Sequence, residues 1–247
     1  MHRYRIVIEY DGTPYIGWQR QESGESVQGK MESAAALLLG EQVSVFGAGR
    51  TDSGVHALGQ VAHFDTLKEL PSRSIRDGLN YYLKSEAICV LDAEEVSKEF
   101  HARFSAISRV YRYRILNRPS PPKLANKRVW HVPVPLNAEA MNLAAQLLVG
   151  LNDFTTFRAT SCQSPTPCKT LDRLDVERFS QEVVVTATAR SFLQHQVRSM
   201  VGTLKLVGEG KWAVERPGEA LDARNRSFAG PTAPAFGLYL VEIAYTP

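Results

Sequence analysis

A chain of 247 residues, 44% hydrophobic and 22% charged, has an ordinary globular make-up, with room for one large domain or two of about 100 residues each. No run approaches the roughly 18 apolar residues of a membrane span, and the opening MHRYRIVIEYDG is too short in its apolar part and too charged for a secretory leader. Membrane-embedded classes are thereby excluded, and a cytoplasmic protein is expected. The net charge of +3 is unevenly spread: residues 98–128 hold nine Lys or Arg against Glu99 alone, +8 in all, which leaves −5 for the rest. Such segregation predicts a polyanionic partner.

The opening RYRIVIEYDG alternates, with Tyr4, Ile6, Ile8 and Tyr10 on one face, and predicts a strand ended by its DG pair. Ser26 is placed to cap a helix through Val27, Met31, Ala34 and Leu38, stopped by Gly40. QVSVFGAG predicts a short strand leading into a glycine-rich loop, GQVAHFD a third and KSEAICVLDAEEV a fourth. The longest alternating run follows in FHARFSAISRVYRYRILN, where Tyr111, Tyr113 and Ile115 oppose Val110, Arg112 and Arg114.

NRPSPPKLANKRVWHVPVPLN, with five prolines, predicts a long irregular loop (Asn117–Asn137). Asn137 then caps a helix with Met141, Ala144, Leu147 and Leu148 on one face, stopped by Gly150. EVVVTATARSF predicts a strand, LQHQVRSMVGTLKLVG a helix and GLYLVEIAY a last strand. Strands mixed with helices in this way predict an α/β or α+β fold with a mixed, mostly antiparallel sheet. The division into subdomains is expected at 1–107 and 108–247.

Three cysteines are an odd number, which argues against a disulfide framework and fits a reducing compartment. Cys162 and Cys168 are the one close pair, and no Cys/His pair of zinc-binding spacing follows, so no metal is expected. The loop GAGRTDSGVHALGQV (Gly47–Val61) is the chemically distinctive stretch. Its glycines miss the dinucleotide-binding G-x-G-x-x-G, because Asp52 stands at the third position. Gly49 and Gly54 have P-loop spacing, but Val55 and His56 replace the required Lys and Ser/Thr. By itself a lone Asp among glycines is equally a turn residue.

In order along the chain stand EYDGTPYIGWQRQ, SVQGKME, FGAGRTDSGVHALGQVAHF, FHARFSAISRVYRYRI, GLNDFTTFRA, FLQHQVRSMVG and GLYLVEIAY. Together they resemble the TruA-type tRNA pseudouridine synthases, which modify uridines 38 to 40 in the anticodon arm. The resemblance covers nearly the whole chain and departs at Ser53 and Gly47, where other small residues are common. It implies a two-subdomain pseudouridine-synthase-like fold with a central catalytic cleft, a symmetric homodimer, a tRNA substrate and no cofactor. It also implies cleavage of the C1′–N1 glycosidic bond and rejoining through C5.

By the same resemblance Asp52 is the catalytic carboxylate, either attacking the nucleotide or removing a sugar proton to give a glycal. Both are ordinary roles of an ionised Asp. Arg50 matches the arginine that takes the flipped-out nucleotide's place and contacts phosphate. Tyr111 matches the tyrosine that packs on the target uracil, Arg198 the partner of the carboxylate, and Leu238 a pocket position. Arg112 and Arg114, from the basic segment, are expected to contact RNA. Two rivals stand beside this reading: an RNA-binding module without activity, and an Asp-dependent nucleoside hydrolase, which needs a second carboxylate or a metal.

Overall fold

The structure, a computed structural model, describes residues 1–246. In chain order its elements are β1 (His2–Tyr10), α1 (Val27–Leu39), β2 (Phe46–Gly47), β3 (His56–Thr66), α2 (Ser72–Leu83), β4 (Ile88–Val96) and β5 (Ala106–Leu116). There follow β6 (Trp130–His131), α3 (Ala138–Gln146), β7 (Gly150–Asp153), β8 (Cys168–Phe179), β9 (Glu182–Ala189), α4 (Gln196–Gly208), α5 (Arg216–Asp222) and β10 (Leu238–Tyr245). The fold is α/β; the pairs β1–β3, β1–β4, β2–β3, β5–β9, β7–β8 and β8–β9 are antiparallel, and β3–β10 and β5–β6 are parallel. Two compact units divide the chain, one of residues 1–107 with the C-terminal strand from Tyr239, the other of Ser108–Leu238.

The first unit is built on β1, paired with β3 on one side and β4 on the other. Tyr4, Ile6, Ile8 and Tyr10 are all buried, as the alternation of β1 demands. The free edge of β3 is shared: β10 pairs at His56 and Ala57, β2 at Ala62 and His63. The expected division, drawn in chain order, had put this last strand with the second subdomain, 108–247. Ser26 caps α1 by accepting from the Gly29 N–H at 3.2 Å, and Gly40 ends it in the left-handed conformation. Leu39, not Leu38, faces the core. The strand expected over QVSVFGAG shrinks to Phe46–Gly47. Helix α2 was not anticipated, because Gly78 interrupts its pattern; Leu38 of α1 fills the space a side chain there would need.

In the second unit β9 lies between β5 and β8, and β7 closes the far edge. The register from Arg109↔Ala189 to Leu116↔Glu182 runs unbroken. A bulge between Leu171 and Arg173 resets the alternation of β8, which hid that strand in its charged sequence. The proline-rich loop is less irregular than expected. It contains β6, and the Asn117 side-chain amide donates to the carbonyls of Val132 (2.9 Å) and Val134 (2.7 Å) while its Oδ1 accepts from the Leu136 N–H (3.1 Å). Helix α3 ends at Gln146 and leaves Leu147 46% exposed, while Leu148 is buried.

One buried histidine makes the first unit sensitive to acid. His63 accepts the Ala102 N–H on Nδ1 at 3.2 Å and lies edge-on to His101. Burial first, then the positive charge of His101 and Arg3, pushes its pKa down from 6.5 to about 4, and His101 is lowered as well. A depressed histidine pKa means that the unfolded chain binds the proton first. Stability from His63 is therefore complete above about pH 6.5 and is lost as the pH falls towards 4. Urea unfolding across that interval should show the decline, and His63→Asn, which keeps an acceptor for Ala102, should flatten it.

Candidate active site

The loop that carries Arg50 and Asp52 is held from both ends and from beneath. At its entry the Ala48 N–H donates to the Val61 carbonyl at 2.8 Å, and the Gln60 amide donates to the Gly49 carbonyl at 2.9 Å. At its centre the Thr51 hydroxyl meets the buried Tyr10 hydroxyl at 2.8 Å, and burial pushes the Tyr10 pKa up to about 12. Tyr10 therefore stays neutral and can hold Thr51 at any physiological pH. At its exit Asp52 and Val55 close a turn at 3.1 Å, with Gly54 left-handed at φ 77°.

From beneath comes the segment Asp11–Trp18. The Trp18 N–H donates to the Thr51 carbonyl at 3.1 Å, Gly17 forms an isolated bridge with Asp52, and the Ser53 hydroxyl donates to the Tyr15 carbonyl at 3.2 Å. Gly17 has φ +115°, and a Cβ there would stand 2.6 Å from the Thr51 carbonyl oxygen. A Cβ on Gly12 would stand 2.0 Å from the Val55 carbonyl oxygen. The Gly12 N–H donates to His56 Nδ1 at 3.1 Å, and the buried His56 ring stacks on Tyr239 with centroids 4.7 Å apart. Backbone thus lies on backbone, leaving the Arg50 side chain exposed and Asp52 half-buried. Nothing in the one-letter pattern pointed to Tyr10 and Gly17 as supports, since their partners lie 35 to 41 residues away.

The second unit holds Tyr111, Arg112, Arg114, Arg198 and Leu238. Tyr111 is 8% exposed on β5, opposite Ala187, and the edge of Phe192 meets it at 5.2 Å and 88°. Phe192 is a neighbour that the sequence reading missed, although it lies in the FLQHQVR run. Tyr113 is a core residue: its ring is 0% exposed and its hydroxyl donates to the Pro234 carbonyl at 2.7 Å. Burial pushes the Tyr113 pKa far up, against the opposing pull of the Arg198 charge.

Arg198 lies in the first turn of α4, which His195 enters with φ 64°, a strained conformation for a non-glycine residue. Its Nε donates to the Ala233 carbonyl at 2.8 Å while its own carbonyl accepts the Ala233 N–H at 3.0 Å. The first bond ties the guanidinium, and the second the main chain, to the same residue. Gln196, also missed, is buried, accepts the Leu193 N–H at 2.9 Å, and has no acceptor for its Nε2 among the described residues. Leu238 is 6% exposed at the start of β10.

The basic segment separates into different environments. Arg112 is exposed, but Arg114 forms a two-point ion pair with Glu182, at 3.0 and 2.7 Å. Arg109 is 8% exposed and donates to the Arg190 carbonyl. Its formal +8 therefore overstates what the surface presents. Among the described residues, no three His, Cys, Asp or Glu side chains gather as a metal site, and no helix is long and apolar enough to cross a membrane.

The site thus consists of a braced loop that presents one half-buried carboxylate on an α/β scaffold. The family model for tRNA pseudouridine synthase matches residues 6–105 and 144–246, so the chain belongs to that family and is an isomerase. Similar full-length relatives, each named tRNA pseudouridine synthase A, bear this out. That of Paramagnetospirillum magneticum is 54% identical, over 100% of this chain and 96% of its own. Those of Rhodopseudomonas palustris strain BisA53 and Acidiphilium cryptum are each 56% identical over 99% of this chain, covering 100% and 97% of their own lengths.

The brace makes a specific prediction. Gly17→Ala must move either the Thr51 carbonyl or the 11–18 segment by several tenths of an ångström or more. Misplacement of a reacting group by about 1 Å can cost on the order of a hundredfold in rate. Turnover should fall by about ten- to a hundredfold with KM for tRNA nearly unchanged and cooperative unfolding retained, as steady-state kinetics beside a thermal melt will show.

Proposed function

We propose that this chain converts uridine to pseudouridine at positions 38, 39 and/or 40 of the tRNA anticodon arm, with Asp52 as its one catalytic carboxylate. Uridine isomerisation in tRNA follows from the family; the positions and the residue roles are our reading. The observation that carries it is the loop itself. Within residues 48–54, Ala48, Gly49, Thr51, Asp52 and Ser53 are each held by other parts of the chain, while two side chains of opposite charge are presented from the loop. A simple turn needs no such support.

The chemistry is balanced within the substrate. The C1′–N1 bond breaks, C1′ bonds to C5, the C5 proton leaves and N1 gains one, so the product is an isomer and no co-substrate is consumed. Both the covalent and the glycal routes need an ionised, fixed carboxylate. Arg198 serves it as the cationic partner, since a positive charge within hydrogen-bonding range favours the ionised form. Its tie to Ala233 supports that role, because a held guanidinium loses little freedom when it engages an anion. Tyr111 supplies a face for the uracil while the base is detached, and Leu238 lines the pocket. Arg50 occupies the gap that the flipped nucleotide leaves, since the glycosidic bond is reached only outside the stack. Arg112 contacts phosphate. Arg114, already paired with Glu182, contributes less than its charge suggests. The family resemblance also supports a symmetric homodimer.

Asp52→Asn keeps the size of the side chain and removes its charge, so pseudouridine formation should vanish while tRNA binding persists. Asp52→Glu should retain only a trace of activity, and Arg198→Met should lose most of its turnover with an unchanged melt. Chemical labelling of pseudouridine in an unmodified transcript measures all three. An active Asn variant would return Asp52 to a turn residue.

The plate role of Tyr111 separates face from hydroxyl. Stacking is worth about 1–3 kcal/mol per base, so Tyr111→Phe should keep much of the activity and Tyr111→Ala should lose most of it. If the two variants are equally damaged, the hydroxyl is the working group and the plate is wrong.

A further inference from the structure

We propose that the turn His101–Ser105 presents a second RNA contact, an aromatic plate formed by Phe104 on His101 where an unpaired tRNA base stacks. Arg103 lies over the Phe104 ring, and Lys98, exposed earlier in the same segment, adds positive charge for the adjoining phosphates. The proposal rests on the tRNA reading above and adds a contact outside the residues assigned there.

Phe104 is 70% exposed, unusual for so large an apolar ring, and Phe46 is 49% exposed. The rings form a continuous cluster. Phe104 lies 4.4 Å from His101 at 36°, His101 lies 4.6 Å from His63, and Phe46 stacks on His63 at 5.2 Å and 23°. Arg103 sits over the Phe104 ring at 5.8 Å.

This display is rigid. Arg3, held by Asp65 at 2.7 and 2.8 Å, donates to the carbonyls of Lys98 (2.6 Å) and Phe100 (2.7 Å). The Tyr245 hydroxyl donates to the Ala102 carbonyl at 2.7 Å. His101 Nδ1 accepts the N–H groups of Arg103 (3.1 Å) and Phe104 (3.4 Å), and the Ser105 N–H donates to the His101 carbonyl at 2.9 Å. A turn fixed at so many points does not leave a phenylalanine in water by slackness. Exposed aromatic faces held beside basic groups are the common device for unpaired nucleotides, because every base has a stackable face. Charge favours RNA over an acidic or neutral protein surface: Lys98 and Arg103 outweigh Glu99, the one carboxylate of residues 97–105. Phe46 carries the cluster along β2 to within two residues of the Asp52 loop. Ile107, 51% exposed, makes a second copy of this chain the alternative occupant.

The test compares wild type with Phe104→Trp, Phe104→Leu and Phe104→Ser. Binding to an unmodified tRNA transcript is measured with sedimentation velocity and pseudouridine formation. Stacking predicts that Trp binds at least as well as Phe, while Leu and Ser bind about ten- to a hundredfold more weakly. KM should rise in parallel, turnover at saturating tRNA should hold, and sedimentation should not change. Arg103→Gln should lower the slope of log affinity against log salt by about one, and Phe104→Ser should leave it unchanged. Leu binding as well as Phe overturns the plate, as does Ser binding like wild type. A Ser variant with altered sedimentation assigns the patch to contacts between copies and also overturns it. A wild type that binds tRNA with the Phe104 pattern but forms no pseudouridine refutes the proposed function and leaves the plate standing.

Discussion

The placement of Asp52 depends on a steric constraint in the backbone. Gly12 and Gly17 let the main chain of residues 11–18 lie directly against that of residues 51–55, where any side chain would collide with a carbonyl oxygen. Close approach permits hydrogen bonds between main chains, which have few internal degrees of freedom. The loop therefore inherits its position from β1 and β3, on which both segments begin or end.

The second unit uses the same economy with different parts. The unbroken register of β5 with β9 decides that Tyr111 turns inward and Arg112 outward, since one slip would reverse both. Arg198 is oriented from the neighbouring segment through Ala233. That segment can lie close because α4 has Gly202, where a Cβ would stand 1.7 Å from the Pro231 carbonyl oxygen. In both units glycine at a crossing point is what lets one stretch of main chain lie against another.

Charge is the property that sequence alone misjudged most. Nine basic residues in one segment read as one polyanion-binding surface, yet the fold gives Arg109 to a carbonyl and Arg114 to Glu182. Lys98, Arg103 and Arg112 are exposed, and Arg103 lies over an aromatic cluster that linear spacing does not reveal. Formal charge counts ionisable groups; partners 68 and 81 residues away decide how many remain available.

Local information was enough for the alternation of β1, the Ser26 and Asn137 caps, the two faces of β5 and the apolar stripe of α4, because each depends on residues within a turn or a strand. The loop motif likewise carried the family resemblance, since a family signature is a linear pattern. Sequence alone failed where distant contacts override local preference. Gly78 sits inside α2 because Leu38 packs against it, the bulge at Leu171–Arg173 breaks the period of β8, and β10 joins the first unit through His56 and Ala57. Residue types determined which groups could act. Only the tertiary structure decided how they are held, because the supports of Asp52 and Arg198 are backbone atoms whose side chains carry no sign of the task.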